Sequence, residues 1–321
     1  MTGYELISSN LLSPMVLAFA LGFVAVLLKS DLKLPPGLYT SLSIYLLFAI
    51  GLKGGVALSQ SSPAELAGPF AATLVLGIVT PLIAYAICRK LGKLDKVDAS
   101  AMAAHYGSVS AVTFIAATNF AASEGLKFEQ FMPALVAVLE IPAILVGLSM
   151  ALKDGKEGGL KLVIHELLTG KAVILLVGGV LIGLLAGPER MVQVEPLFGD
   201  LFKGALTIFL LEMGLVAGAR VPDLKGRAVF LLLFGTLVPL FNGLLGVWAG
   251  SVVGMTAGGA GILGAMVASA SYIAAPAAVR LVLPQANPGL YLTGALTVTF
   301  PFNLMVGIPL YLEAAHWLID R

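Results

Sequence analysis

The chain contains long apolar runs without one charged side chain, of which Ala172 to Gly187 (AVILLVGGVLIGLLAG) is representative. Such runs identify the solvent before they identify the fold. Lipid tails offer no hydrogen-bond partners, so each backbone N–H and C=O inside them must be satisfied within the protein, as a helix does. Composition agrees: 59% of the 321 residues are hydrophobic and only 12% charged, with a mean hydropathy of +0.99. That is too apolar for a soluble globule and predicts an all-α polytopic membrane protein seated in a lipid bilayer. The net charge of +1, with no basic cluster interleaved with aromatics, gives no reason to expect a nucleic-acid partner. Cys88 is the single cysteine and cannot form an internal disulfide. Met1 to Asn10 carry no basic residue, so Leu11 to Leu28 reads as a first spanning helix and not as a cleaved signal peptide.

Hydrophobic windows between charged, Pro-rich or Gly-rich punctuation give ten spans, at roughly 11–28, 37–58, 64–88, 97–121, 130–152, 171–187, 196–218, 226–249, 253–281 and 288–314. Alternating the loops puts fourteen of the nineteen basic residues on one side, from Lys29 and Lys33 through Lys153, Lys156 and Lys161 to Arg280. Only Lys127, Arg190 and Arg321 fall on the other, with Lys53 and Lys203 inside spans. The positive-inside rule makes the fourteen cytoplasmic and leaves both termini outside a plasma (inner) membrane.

The halves resemble each other in order. Ile50-Gly51-Leu52 matches Met213-Gly214-Leu215 at a shift of 163, Gly77 to Leu82 (GIVTPL) matches Gly235 to Leu240 (GTLVPL) at 158, Ser108-Val109-Ser110 matches Ser269-Ala270-Ser271 at 161, and Pro142 matches Pro301 at 159. Residues 1–152 and 171–321 thus read as two five-span repeats joined by a 153–170 cytoplasmic linker. With an odd number of spans per copy the second must enter the bilayer inverted, a plan used by secondary transporters.

Spans 4 and 9 differ from the rest. They are long and rich in Gly, Ala and Ser, and each carries the doubled serine patch: Gly107, Ser108, Val109 and Ser110 in one, Ala268, Ser269, Ala270 and Ser271 in the other. Serines two apart point to different faces of a continuous helix, whereas in an extended break they line one side. The competing reading is close helix packing on small residues. Two broken helices of opposite direction would bring N-terminal dipole ends, free N–H groups and hydroxyls toward one point, suited to a small, planar, singly charged oxyanion.

Four stretches then carry a family likeness: GLKGGVAL (Gly51 to Leu58), AHYGSVSAVTF (Ala104 to Phe114), EIP (Glu140 to Pro142) and ASASYIAAPAAVR (Ala268 to Arg280). Together they resemble the sodium-dependent bicarbonate permeases first recognised in cyanobacteria, the SbtA type. The resemblance implies a gate domain (spans 1, 2, 6 and 7) moving against a core domain (spans 3 to 5 and 8 to 10), with helices 4 and 9 broken where they cross at mid-membrane. It also implies bicarbonate at the crossing, sodium beside it, no other cofactor, no enzymatic activity and a homo-oligomer, a trimer. Cyanobacterial members have a longer insertion between spans 5 and 6 and a PII-like regulator; here the connection is only Lys153 to Gly170, which argues against such regulation.

Sodium needs oxygens, and the residues predicted near mid-membrane are Glu140 and Asn303, at roughly equivalent repeat positions, with Thr113 and Asn119 after the first break and Thr299 one turn before Asn303. An ionisable group at the bilayer centre costs about 2.5 kcal/mol or more and is a functional candidate by default; for Glu140 the alternative is a buried structural carboxyl. Asp98 and Ser100 read as N-capping residues of span 4, His105 as a structural imidazole beside the break, Asn242 as interhelical glue, and Lys53 as a snorkelling side chain that does not meet Glu212, for which Arg220 is a possible partner. Three other functions stay open. A carrier of larger organic anions would need a roomier, more apolar cavity, and a cation/proton antiporter would be expected to show an intramembrane aspartate pair. An intramembrane hydrolase could use Ser108 with His105, but no G-x-S-x-G or H-E-x-x-H signature accompanies them.

Overall fold

The computed structural model describes residue 8 and residues 10–151, 164–165 and 168–320. Most of the expected 153–170 linker, including Lys153, Lys156 and Lys161, lies outside the described residues, as do Met1 to Ile7 and Arg321. The described residues are helical without strands. In chain order the helices are α1 (Pro14–Leu27), α2 (Pro36–Ser59), α3 (Pro63–Lys90), α4 (Lys96–Gly107), α5 (Ala111–Ser123), α6 (Met132–Ser149), α7 (Lys171–Met191), α8 (Phe202–Ala219), α9 (Ala228–Val252), α10 (Ala257–Val267), α11 (Ala275–Val282) and α12 (Pro288–Ile319).

Seven of these segments among the described residues are long and apolar enough to cross a membrane, counting α7 to Val194 and α8 from Pro196. The expected spans missing from that set are the first, fourth and ninth. Helix α1 has 14 residues, and the other two are interrupted. At 1.5 Å per residue neither α4, with 12 residues, nor α10, with 11, reaches much beyond half of a hydrocarbon core of about 30 Å.

Local chemistry sets the ends. Ser13 caps α1 through Val16 N, three residues later than the apolar run begins. Ser62 and Glu65 form a reciprocal capping box on α3. The cap of α4 is Asp95, which accepts from Asp98 N at 2.8 Å, so Asp98 and Ser100 are not its caps: the Asp98 carboxylate accepts from Asn287 N at 2.8 Å, and Ser100 is fully buried with its hydroxyl unpartnered. Gly187, at φ +66°, turns the chain ahead of Pro188.

Glycine determines how the helices approach. On α2 and α7, Cβ atoms built at Gly55 and Gly183 would lie 2.0 Å from the Val180 carbonyl oxygen and 2.1 Å from that of Leu52. On α1 and α8, Gly22 and Gly214 meet Leu211 O and Phe19 O in the same way, each at 2.1 Å. Small residues four apart let backbones touch where lipid gives no hydrophobic drive to associate; Gly51 and Gly55 on α2 answer to Gly214 and Gly218 on α8 at the shift of 163. The remaining helices pack as two groups, α3 with α4 and α6, and α9 with α10 and α12. They interlock through the interrupted segments, α5 against α10 and α11 against α4 and α6.

Proline opens carbonyls in this framework, and side chains close them. Pro239 has no N–H for the Gly235 carbonyl four residues earlier, and the Thr299 hydroxyl donates to it at 2.8 Å. Pro309 leaves Met305 and Leu304 short of a donor, and the Asn10 amide donates to both. Helix α12 takes π-type turns at Gly294–Thr299 and Asn303–Gly307, on either side of Pro301; such turns are frequent at functional sites.

The glycine contacts generate a paired prediction. Gly183→Ala puts a methyl against Leu52 O and should cost about 1–3 kcal/mol, read as a lower thermal midpoint in detergent. Gly178→Ala, on the same helix with nothing within 4 Å, should stay within about 0.5 kcal/mol of the parent. Equal midpoints for the two variants would contradict the close contact.

Candidate functional site

Helix α4 ends at Gly107 because the chain leaves helical geometry there: Ser108 lies at φ −90°, ψ 170° and Ser110 at φ −91°, ψ 111°, both extended. Gly107 itself is pressed against Pro81, whose ring carbons a Cβ there would meet at 2.6 Å. Its carbonyl, left over at the helix end, accepts from the Thr80 hydroxyl at 3.3 Å. The second interruption is longer, Ala268 to Ala274, before α11 resumes with Pro276 in its first turn, where a missing N–H costs nothing.

The two interruptions are hydrogen-bonded to each other. Ser110 N donates to Ser269 Oγ at 2.7 Å, and Ser269 Oγ donates in turn to Met266 O at 2.6 Å. Ser271 N donates to His105 O at 2.8 Å. The N-termini of α5 and α11 and the C-termini of α4 and α10 therefore gather around one junction, with the positive dipole ends of α5 and α11 among them.

The four serines do four different things. Ser110 caps α5 by accepting from Thr113 N at 3.2 Å. Ser269 bridges the breaks. Ser271 accepts from Ala275 N at 3.3 Å and lies against the Glu140 carboxyl. The Ser108 hydroxyl is buried and has no partner. Nor has the Tyr272 hydroxyl, which faces Ser110 without closing a hydrogen bond and packs edge-on against Phe300. Unpartnered buried hydroxyls cost about 1–3 kcal/mol each, and two of them at a junction of helix ends form the polar lining a ligand would complete. Gly107, Val109, Ala268 and Ala270 contribute backbone and little bulk.

The residues predicted for sodium divide. Glu140 on α6 is buried beside Ser271. Asn303 donates to Ala268 O at 2.8 Å and accepts from the Tyr311 hydroxyl at 3.2 Å, which ties α12 to the edge of the second break. Its amide oxygen keeps one acceptor lone pair. Thr113 is buried in the first turn of α5. Thr299 is spent on Gly235 O and on the Tyr106 hydroxyl, 2.9 Å away. Asn119 stands further along α5, donates to Ile115 O at 2.9 Å and opens on a separate cavity with Thr118. Among the described residues no three His, Cys, Asp or Glu side chains cluster as a metal site.

Other side chains take places that differ from expectation. His105 donates through Nδ1 to Ala101 O at 2.8 Å and stacks on Tyr291 at 4.2 Å, while Nε2 has no partner. It is not joined to Ser108, so the pair lacks the contact a nucleophile and base require. Arg220 pairs with Asp223 at 3.7 Å and not with Glu212, whose Oε2 is unpartnered. Lys53 sets its ammonium 4.4 Å above the Phe202 ring. Tyr272, Tyr106 and Tyr311 received no role from the sequence. Their only signal there is an aromatic hydroxyl within an apolar span, and that pattern is common wherever such a hydroxyl finds a partner.

No curated protein matches the chain. A family model does, over residues 14–316, which takes in every helix named above except the last three residues of α12. The chain belongs to the Na+-dependent bicarbonate transporter superfamily.

Proposed function

We propose that this protein imports bicarbonate together with sodium across the plasma membrane by alternating access, holding the anion where the two interrupted helices meet. The observation that carries the reading is the pair of buried, unpartnered hydroxyls of Ser108 and Tyr272 at that junction. Backbone N–H groups at the starts of α5 and α11 supply the remaining donors. With no arginine among the described residues bonded to the junction serines, the site binds through dipoles and hydroxyls, which suits a small monovalent oxyanion held weakly enough to be released.

In this reading α4 with α5 and α10 with α11 are the fourth and ninth of ten spans, arranged as two inverted five-span repeats. The glycine-matched pairs α2–α7 and α1–α8 support that symmetry, since the equivalent positions Gly51 and Gly214 do equivalent work. Helices α1, α2, α7 and α8 are the gate and the rest the core. The positive-inside count places the α2–α3 and α5–α6 connections outside. Moving one anion inward against an interior-negative potential costs about 2.3 kcal/mol per 100 mV, and one sodium carried with it cancels that cost while its own gradient adds drive. Glu140, Ser271 and Asn303, gathered along the second break, are the oxygens to which we assign that sodium, with Thr113 across the junction.

Proteoliposomes prepared without sodium should take up labelled bicarbonate when sodium is added outside. Equal uptake with potassium would remove the coupling. Ser108→Ala takes away a hydroxyl that no protein group uses, so its thermal midpoint should match the parent, while one lost hydrogen bond to a charged ligand raises the KM for bicarbonate about ten-fold or more. Ser269→Ala should lose both, because it also strips the Ser110 N–H of its partner. An unchanged KM in the folded Ser108→Ala protein would place the anion elsewhere. Glu140→Gln should weaken sodium activation with little effect on bicarbonate KM at saturating sodium; unaltered sodium dependence would exclude Glu140.

A further inference from the structure

A cavity of about 560 Å³ opens between α2 and the start of α8 on one wall and α5 on the other. On the topology proposed above, it is the outer vestibule between gate and core. Two cations line it, Lys53 of α2 and Lys203 of α8, both exposed to it. Neither forms an ion pair with any described residue. The Lys53 ammonium instead rests on the face of Phe202, an arrangement that holds a cation in place while leaving its donors free for an anion. Glu195 lines the same cavity with its carboxylate folded back over Gly199, where it attracts the Lys53 ammonium without closing an ion pair, so the lining keeps a net charge of +1. The opposite wall offers the neutral polar groups of Thr118 and Asn119 on α5, the helix whose N-terminus lies at the serine junction.

We infer that this vestibule is a second, outer anion site, in which Lys53 and Lys203 concentrate the small oxyanion before it passes along α5 to the junction. The inference rests on the anion-transport reading and adds a site to it. The cavity is far larger than one such anion, so the hold is electrostatic and loose. Both lysines belong to the gate helices, so the charge that attracts the anion does not travel with the core. Attraction of this kind raises local concentration and entry rate by ten-fold or more at low ionic strength and is screened within a Debye length of about 10 Å at 0.1 M salt.

The test has two independent arms. In the first, Thr118→Cys places a reporter thiol in the vestibule, Cys88 being buried, and its reaction rates with anionic sulfonatoethyl and cationic trimethylammonioethyl methanethiosulfonates are compared. The anionic reagent should be favoured. Adding Lys53→Gln or Lys203→Gln should lower the anion-to-cation rate ratio about three- to ten-fold, and Lys53→Arg should restore it. In the second arm, sodium-driven bicarbonate uptake is measured at fixed sodium with and without added choline methanesulfonate. The Gln variants should raise KM about three- to ten-fold at low ionic strength with Vmax unchanged, and the difference should vanish at high ionic strength. A rate ratio insensitive to both lysines, or a KM equal to the parent's at low ionic strength, overturns the vestibule site. Absence of sodium-driven uptake by the parent protein fails the transport reading instead, and the thiol arm still decides whether the vestibule attracts anions.

Discussion

One contact holds the centre of this molecule together: the Ser110 amide donating to the Ser269 hydroxyl at 2.7 Å. A chain that leaves helical geometry inside an apolar environment exposes backbone groups that lipid cannot satisfy, at several kcal/mol each. Neither interruption would be stable alone. Each is tolerable because the other supplies partners, Ser269 to Ser110 and the His105 carbonyl to Ser271. The same mutual dependence joins the two halves of the sequence at one point, and it is there that hydroxyls remain to be filled.

The surroundings follow the same accounting. Proline at 239 frees the Gly235 carbonyl, Thr299 closes it, and Tyr106 next to the first break bonds Thr299. Proline at 309 frees carbonyls that Asn10 closes from the start of the chain. Asn303 fastens α12 to Ala268, and Tyr311 fastens Asn303. The breaks are thus suspended in a frame of side-chain hydrogen bonds, whereas α1 with α8 and α2 with α7 meet backbone to backbone across glycines.

Much of this was legible in the sequence because lipid makes backbone satisfaction so demanding. Long uncharged runs point to the helices, and the doubled serine patches to the interruptions, since serines two apart point to different faces of a continuous helix but line one side of an extended break. What the residues could not reveal was the division of labour among those serines. Capping, bridging and ligand contact use the same hydroxyl, and only the distance to a neighbour separates them. Helix starts differ from expectation where a better acceptor stands nearby: Asp95, and not Asp98 or Ser100, caps α4, while Asp98 accepts from the Asn287 amide across the fold. Thr299 and Asn303 are legible as polar groups in span 10, but the π turn at Asn303–Gly307 sits where Pro309 leaves carbonyls that Asn10, far away in sequence, closes.

The most direct measurement is a structure determined with bicarbonate and sodium at saturating concentrations. The account predicts density for a four-atom anion at the junction of the two breaks, within hydrogen-bond distance of Ser108 Oγ and the Tyr272 hydroxyl, with a cation among the oxygens of Glu140, Ser271 and Asn303. An uptake-competent protein whose junction is empty under those conditions, with Ser108 and Tyr272 still unpartnered, would contradict it.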